Sequence, residues 1–278
     1  MHCFSMDVEG FCGGMAESIS VPAETMAGPG ELSEIQQNVA ETLEFLDTWG
    51  VKGTFFVLGR VADLLPDMVR MIAQEGHEIA SHSFEHLRLY NMSHEQIHDT
   101  LTRSRKVLED VSGTHVKGFR APDFSINDQT LHILDMIQEA GYRYDSSLYP
   151  IQGHDVYGVR DTEPWIYRLP NGLVEYPLST VEVAGWRIPA LGGGYFRLYP
   201  LTVTRRILRR IERGGHSAMF YIHPYELGTI CPLVSNLSWP RRLRHYVNRG
   251  KTKKRFCKLF VDHQFGRVED VLQSRGFL

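Results

Sequence analysis

Four times along this chain a helix-patterned segment stops at glycine and a short β-like run follows within a few residues. "ETLEFLDTWGVKGTFFVLG" stops at Gly50 and predicts a strand at 54–58. "MVRMIAQEGHEIASH" stops at Gly76 before a strand at 78–81, and "LHILDMIQEAGYRYDSS" stops at Gly141 before one at 142–145. "ILRRIERGGHSAMFYIH" stops at Gly214 and Gly215 before one at 217–222. Glycine after a helix accepts left-handed backbone at little steric cost. Helices alternating with short strands build βαβ units and a mostly parallel sheet. With 278 residues, the repeat suits one α/β domain. It would be either a closed or nearly closed (β/α) barrel or an open doubly wound sheet. Ile35, Val39, Leu43 and Leu46 fall at helical spacing, as do Leu101, Val107 and Leu108 more loosely, and predict buried helix faces.

Three segments depart from the repeat. Residues 151–200 are rich in Gly, Pro and Tyr, and runs such as "LVEYPLSTVEVAGWRIPA" predict a β-hairpin insertion. Residues 18–32 predict a long loop after the first strand, and residues 238–278 a helical C-terminal extension. Apolar content of 42% and charged content of 23% describe an ordinary soluble globule. A net charge of −3 argues against nucleic-acid binding, which leaves a basic footprint. The one basic stretch, "RRLRHYVNRGKTKKR" at 241–255, reads as a solvated helix face or as a patch meeting phosphates or a membrane surface. The four cysteines contain no C-x-x-C pair, which disfavours a thiolate metal site. No apolar run is long enough to cross a bilayer. "MHCFSMDVEG" enters a strand pattern at once, so a cytoplasmic location is expected.

The unusual polar residues fall at the C-terminal ends of the predicted strands. "HCFSMDVE" ends in Asp7 and Glu9, "HEIAS" runs into His82 and His86, "HVKGFRAP" delivers Arg120, "YRYDSS" delivers Asp145 and "SAMFYIHP" delivers His223. Barrels and open α/β sheets form their sites at that end. Two imidazoles and a carboxylate suit Zn²⁺ or a similar divalent ion, with a position left open for water. His82 and His86, four apart, face one ion if a helical turn begins there. Strand alternation puts Asp7 and Glu9 on one side. A carboxylate base and a separate histidine acid beside such an ion describe hydrolysis of an amide or ester.

The ordered set D-V-E, S-H-S-F-E-H, F-R-A-P-D-F, Y-D-S-S and Y-I-H-P, with "TFFVLG" and "GHEIASHS", resembles the polysaccharide deacetylase superfamily (carbohydrate esterase family four and relatives) across nearly the whole chain. The tail "LRHYVNRGKTKKRF" is similar to that of a bacterial branch tied to surface-glycan loci. The resemblance implies a distorted (β/α) barrel and a metal-dependent N-deacetylase acting in surface polysaccharide or glycan-precursor biosynthesis. It implies Glu9, His82 and His86 as ligands of a divalent metal, zinc first. It implies Asp7 as catalytic base, Arg120 as the group orienting it, and His223 as general acid held by Asp145. The backbone N–H near Asp123 becomes an oxyanion donor. Tyr195 in "GGGYFRLYP" and Phe124 are candidate substrate contacts, and Glu226 in "HPYE" reads as a substrate contact, as a support behind the site or as a surface acid. The expected partner is an N-acylated sugar, nucleotide- or lipid-linked, with peripheral membrane contact at most. Spacing the two acids of D-V-E by one residue departs from the adjacent aspartates of many relatives and bears on which metal is held. Two other readings remain open: another amidohydrolase of the superfamily, such as a sugar deformylase or an allantoinase-like ring opener, and a silent glycan-binding module.

Overall fold

The alternation of the first strand divides the molecule into an inside and an outside. In β1 (His2–Val8), Phe4, Met6 and Val8 join a core shared with helix residues such as Ile35 and Leu43, while Cys3 joins a second core with Phe56, Ala80, Tyr144 and Tyr221. A strand buried on both faces has helices on one side and the interior of its own curled sheet on the other. The structure, a computed structural model, describes residues 1–12, 28–152, 157–234 and 239–278.

After β1 come α1 (Pro29–Thr48), β2 (Thr54–Val57), α2 (Gly59–Leu64), α3 (Pro66–Gln74), β3 (Glu78–Ser81), α4 (His94–Ser112), β4 (Gly118–Phe119), α5 (Ile133–Glu139) and β5 (Tyr144–Asp145). The second half holds β6 (Tyr167–Arg168), β7 (Val174–Glu175), β8 (Thr180–Val183), β9 (Trp186–Pro189), α6 (Gly193–Leu198), α7 (Leu201–Arg213), β10 (Met219–Ile222), α8 (Pro224–Leu227), α9 (Trp239–Tyr246), α10 (Thr252–Asp262), β11 (Phe265–Gly266) and α11 (Val268–Ser274). The strand order is β10-β1-β2-β3-β4-β5-β7-β6, parallel except for the β6 edge, with β11 added in parallel on β1. The ends of the sheet meet without a ladder. Met219 N donates to Ser179 Oγ (2.8 Å), Tyr176 Oη donates to Ala218 O (3.0 Å), and Gly192 makes a lone bridge to Tyr221. The fold is the expected distorted (β/α) barrel, incompletely closed at this seam.

The predicted helix faces are buried: Ile35, Val39, Leu43 and Leu46 line α1, and Leu101 and Leu108 line α4. Three boundaries differ from expectation. The loop predicted to run through residue 32 ends at 28, because Pro29 starts α1 with its fixed φ suited to a first helical position; its residues 18–27 lie outside the described residues. Segment 151–200 holds more than a hairpin. Val174–Glu175 is a barrel strand parallel to β5, and only 180–189 forms the separate β8–β9 pair. The extension at 238–278 is likewise not helical throughout, since β11 joins the sheet beside β1.

That last segment closes the N-terminal end of the barrel. α11 sends Val268, Val271 and Leu272 into the interior core. Its first N–H groups are taken by side chains from the barrel: Val268 N donates to Thr54 Oγ1 (2.7 Å) and Glu269 N to Glu78 Oε2 (3.0 Å). Tyr144 crosses the same layer and donates to Glu78 Oε1 (2.8 Å). It passes over Gly118, where a Cβ would lie 2.0 Å from the ring.

Candidate active site

At the open end of the barrel the inward-pointing parity continues from Cys3 and Ser5 to Asp7. Asp7 is 2% exposed and Arg120 is fully buried. Arg120 Nη1 donates to Asp7 Oδ1 (2.6 Å) and Ser5 Oγ (2.9 Å), while its Nε and Nη2 donate to Ser146 O (3.1 Å) and Ser146 Oγ (3.0 Å). The guanidinium also lies 3.9 Å from the Phe56 ring centroid. A cation tied at this many points gives the base one orientation and leaves Asp7 Oδ2 to meet a proton.

Glu9 follows directly, after a tight turn in which Glu9 N donates to Asp7 O (3.1 Å). Its Oε2 lies 2.6 Å from His86 Nε2 and 3.5 Å from His82 Nε2, and its Oε1 lies 3.3 Å from His223 Nε2. Burial pushes the Glu9 carboxyl up, but the imidazoles of His86, His223 and His82 more than reverse this and hold it well below the usual range. No helical turn joins His82 to His86, contrary to expectation. The chain bends there, with Ser83 at φ 73°. That left-handed non-glycine residue is secured by Thr100, whose Oγ1 pairs with Ser83 Oγ (3.0 Å) and accepts from Phe84 N (3.1 Å).

The donor set fits a divalent cation. Ligand atoms of Glu9, His82 and His86 lie within 4.8 Å of one another in a buried cluster. Among the described residues Glu9 Oε2 is buried without a properly directed hydrogen bond, a costly state unless a cation accepts its lone pairs. His82 Nδ1 bonds to Arg120 O (2.8 Å), which fixes the proton on Nδ1 and leaves the Nε2 lone pair free. A second cluster, His2, Glu212 and His263, fails the same test. Ala218 N donates to His2 Nδ1 (3.1 Å), so the neutral ring carries its proton on Nε2, where it donates to Glu212 Oε1 (3.0 Å). His2 therefore has no lone pair to give an ion.

His223 ends β10 and faces Glu9 from the other side. Its Nδ1 bonds to Glu226 Oε1 (2.8 Å), and its backbone N donates to the same oxygen (3.1 Å). Glu226 Oε2 accepts from Arg197 Nε (2.6 Å) in an ion pair that is about 1% exposed. Burial lowers His223, but Glu226 and Glu9 outweigh it and raise it to about 10. Burial raises Glu226, but Arg197 and His223 outweigh it and lower it to about 2.

Several expectations change here. Asp145 does not hold His223. Inward parity on β5 belongs to Tyr144 and Ser146, so Asp145 points outward. There its oxygens accept from Ser147 N (2.9 Å) and Ser147 Oγ (2.7 Å), beside Glu175 in the strand register. Burial pushes both carboxyls up, Glu175 well above its usual range. Glu226 supports the histidine instead. It is no substrate contact, since both its oxygens are engaged and it is 1% exposed. "HPYE" carried the signal: His223, Pro224 and Glu226 have N-cap, N1 and N3 spacing, and the structure shows the capping box. Arg197, on α6, was not singled out from the sequence and has no local motif to mark it.

Asp123 sits in a strained turn with φ 52°, followed by Phe124 at φ 53°. The turn's own bonds run from Phe124 N and Ser125 N, so they leave Asp123 N–H over; the Asp123 carboxylate accepts from Arg88 Nε (2.7 Å). Phe124 is 8% exposed and packs edge-on against Tyr221 (4.9 Å), which makes it wall rather than an open sugar platform. Tyr195, on α6, is half-buried.

Fold and site together define a class: a (β/α) barrel whose strand ends gather a cation-type donor cluster between an arginine-held carboxylate and a carboxylate-held imidazole. Residues 27–144 match the family model "Polysaccharide deacetylase". Residues 146–273 match a model described as "Domain of unknown function (DUF3473)". The boundary between the two models falls at β5, inside the sheet. His223, Glu226 and Arg197 come from the second region, and Asp7 and Glu9 precede both. The peptidoglycan-N-acetylglucosamine deacetylase PgdA of Listeria monocytogenes is 30% identical over 139 residues, 50% of this chain and 26% of that protein. The chain spans well under half the length of the first curated relatives it matches. A solved putative polysaccharide deacetylase from Mycobacterium smegmatis superposes with a TM-score of 0.65 at 23% identity, covering 95% of this chain and 85% of that one. A solved PuuE allantoinase gives 0.63 at 15% identity, covering 98% and 88%. One fold thus carries differently named activities, and the site has to decide.

Proposed function

We propose that this protein is a metal-assisted hydrolase that removes the N-acetyl group from an amino sugar of a surface polysaccharide or glycan precursor. The observation that carries the reading is the convergence of Asp7–Arg120, Glu9–His82–His86 and His223–Glu226–Arg197 on one rim, from strands far apart in sequence. Glu9, His82 and His86 would hold the ion, zinc being the first to test. Such an ion polarises a carbonyl and acidifies water. Asp7, locked by Arg120 through Oδ1, takes the proton of the attacking water on Oδ2. His223, charged and oriented through Nδ1, hands its Nε2 proton to the departing amine. The leftover Asp123 N–H is the proposed donor to the oxyanion. With both acid-base partners fixed before substrate arrives, little reorganisation is required.

The test pairs metal content of the purified protein with acetate release from N-acetylated polymer, lipid-linked and nucleotide-linked sugars. N-formyl sugars and a cyclic ureide are run beside them. The expected result is near-stoichiometric metal, lost in His82→Ala, and acetate release lost in His82→Ala and Asp7→Asn. Formate release or ring opening without acetate moves the site to another amide. A folded protein that takes up no metal overturns the reading.

A further inference from the structure

From Leu227 to Val261 the chain carries nine Lys and Arg residues and no Asp or Glu, in a molecule whose net charge is −3. The same stretch exposes three large apolar side chains more than 70%: Leu233 (83%), Trp239 (74%) and Val261 (72%). Leu243, one turn after Trp239 on α9, and Leu198, at the end of α6, are also exposed. Among the described residues no other large apolar side chain is more than 70% exposed, Trp186 on β9 coming next at 62%; here the three are interspersed with cations. Lys251, Lys254 and Lys258 line a groove of about 500 Å³ with Leu198, Leu201 and Arg255. All three lysines are exposed, and among the described residues none is paired with a carboxylate. Lys254, Lys258 and Val261 repeat at helical spacing and share one face of α10.

A nucleic acid would meet the charge and stack on Trp239, but it leaves Leu233, Leu243 and Val261 in water. An anionic bilayer takes both: phosphate headgroups for the lysines, and the headgroup–acyl boundary for Trp239, Leu233 and Leu243. The surface also lies next to the site. α9 packs on α6. α6 begins at Gly193, where a Cβ would lie 3.8 Å from Glu226 Oε1, and ends at Leu198 on the basic groove. Six helical residues span only roughly 9 Å.

We infer that the α9–α10 face, with Trp239, Leu243 and Leu233 as apolar anchors and Lys251, Lys254 and Lys258 as headgroup contacts, seats this protein peripherally on an anionic phospholipid surface. The inference is independent of the acyl group that the site removes.

The test is co-sedimentation of the full chain with phosphatidylcholine vesicles, with and without phosphatidylglycerol, at about 0.1 M and about 0.5 M salt. The expected result is binding to the phosphatidylglycerol vesicles alone, released by the higher salt. Each lysine replaced by Gln should weaken partitioning roughly fivefold. Trp239→Ala should weaken it as well, with thermal unfolding and metal content unchanged in both sets of variants. Absence of binding to phosphatidylglycerol vesicles at low salt overturns the inference. So does binding that neither Trp239→Ala nor the triple lysine variant alters. Displacement by millimolar inorganic phosphate would mean a small-anion pocket instead, and preference for duplex DNA over vesicles a nucleic-acid surface. Either result also overturns the inference.

Discussion

At the residue scale the site depends on which charged group each ionisable side chain meets. Glu226 and Arg197 touch neither the donor cluster nor Asp7, yet together they set the position of His223. Glu226→Gln keeps a carbonyl oxygen for the imidazole and removes its charge. We expect kcat to fall about 10²-fold with metal content unchanged, read by steady-state kinetics beside metal analysis. Arg197→Met leaves Glu226 buried without its cation and should cost as much activity and some stability. Equal activity in both variants and wild type would remove Glu226 from the account of His223. Asp7→Asn preserves the shape of the base and should lower kcat by about 10³-fold or more while leaving metal content intact.

At the scale of elements, two-residue alternation decides who is inside. It carries Cys3, Ser5 and Asp7 inward on β1, and Tyr144 and Ser146 on β5. The same rule turns Asp145 outward, so its motif-like place at a strand end did not make it a partner of His223. The parity of β5 could be read in "YRYDSS" only by knowing that Tyr144 crosses the barrel, and that crossing depends on Gly118. Gly118→Ala should force the Tyr144 ring off Glu78. The expected cost is on the order of 2 kcal/mol or more, read as a lower denaturant midpoint with unchanged slope. A midpoint equal to wild type would mean that the ring has another low-energy position.

For the whole molecule, the two ends of the barrel divide the work. The open end gathers the site, and the other is sealed by α11 and buried histidines. Leu272→Ala in that seal should cost about 2–5 kcal/mol although it lies at the opposite end from the reacting groups. His77 is 4% exposed, with Gly53 N donating to its Nδ1 (3.0 Å) and a buried Nε2 that has no hydrogen-bond partner among the described residues. Burial, with the nearby Lys52 charge, lowers it to about 4. The folded state therefore binds fewer protons than the unfolded chain between about pH 6.5 and 4, so stability rises with pH across that window and is lost as pH falls through it. The amount is on the order of 3 kcal/mol for this one group. Chemical denaturation at pH 7 and pH 4 should show that loss in the wild type and a smaller one in His77→Gln. Equal losses would assign the acid sensitivity to other groups.

Much of this was legible in the chain, because helix stops, strand alternation and metal-type spacing are local properties. Gly50, Gly76, Gly141 and Gly215 mark helix ends, all with positive φ, and from them a mostly parallel sheet follows, barrel or open; the choice of a barrel came from the resemblance. The residue types at five strand ends likewise announced a donor cluster with acid-base partners. What the chain could not announce depends on contacts between segments far apart in sequence. Arg197 meets Glu226 across 29 residues, β11 reaches β1 from the far end of the chain, and β7 proves to be a barrel strand through its ladder with β5. The sequence by itself determined the repeating unit, the rim and the chemistry available there. The tertiary structure alone decided which carboxylate serves which histidine, because a side chain's partner is set by where the fold closes and not by its neighbours in the chain.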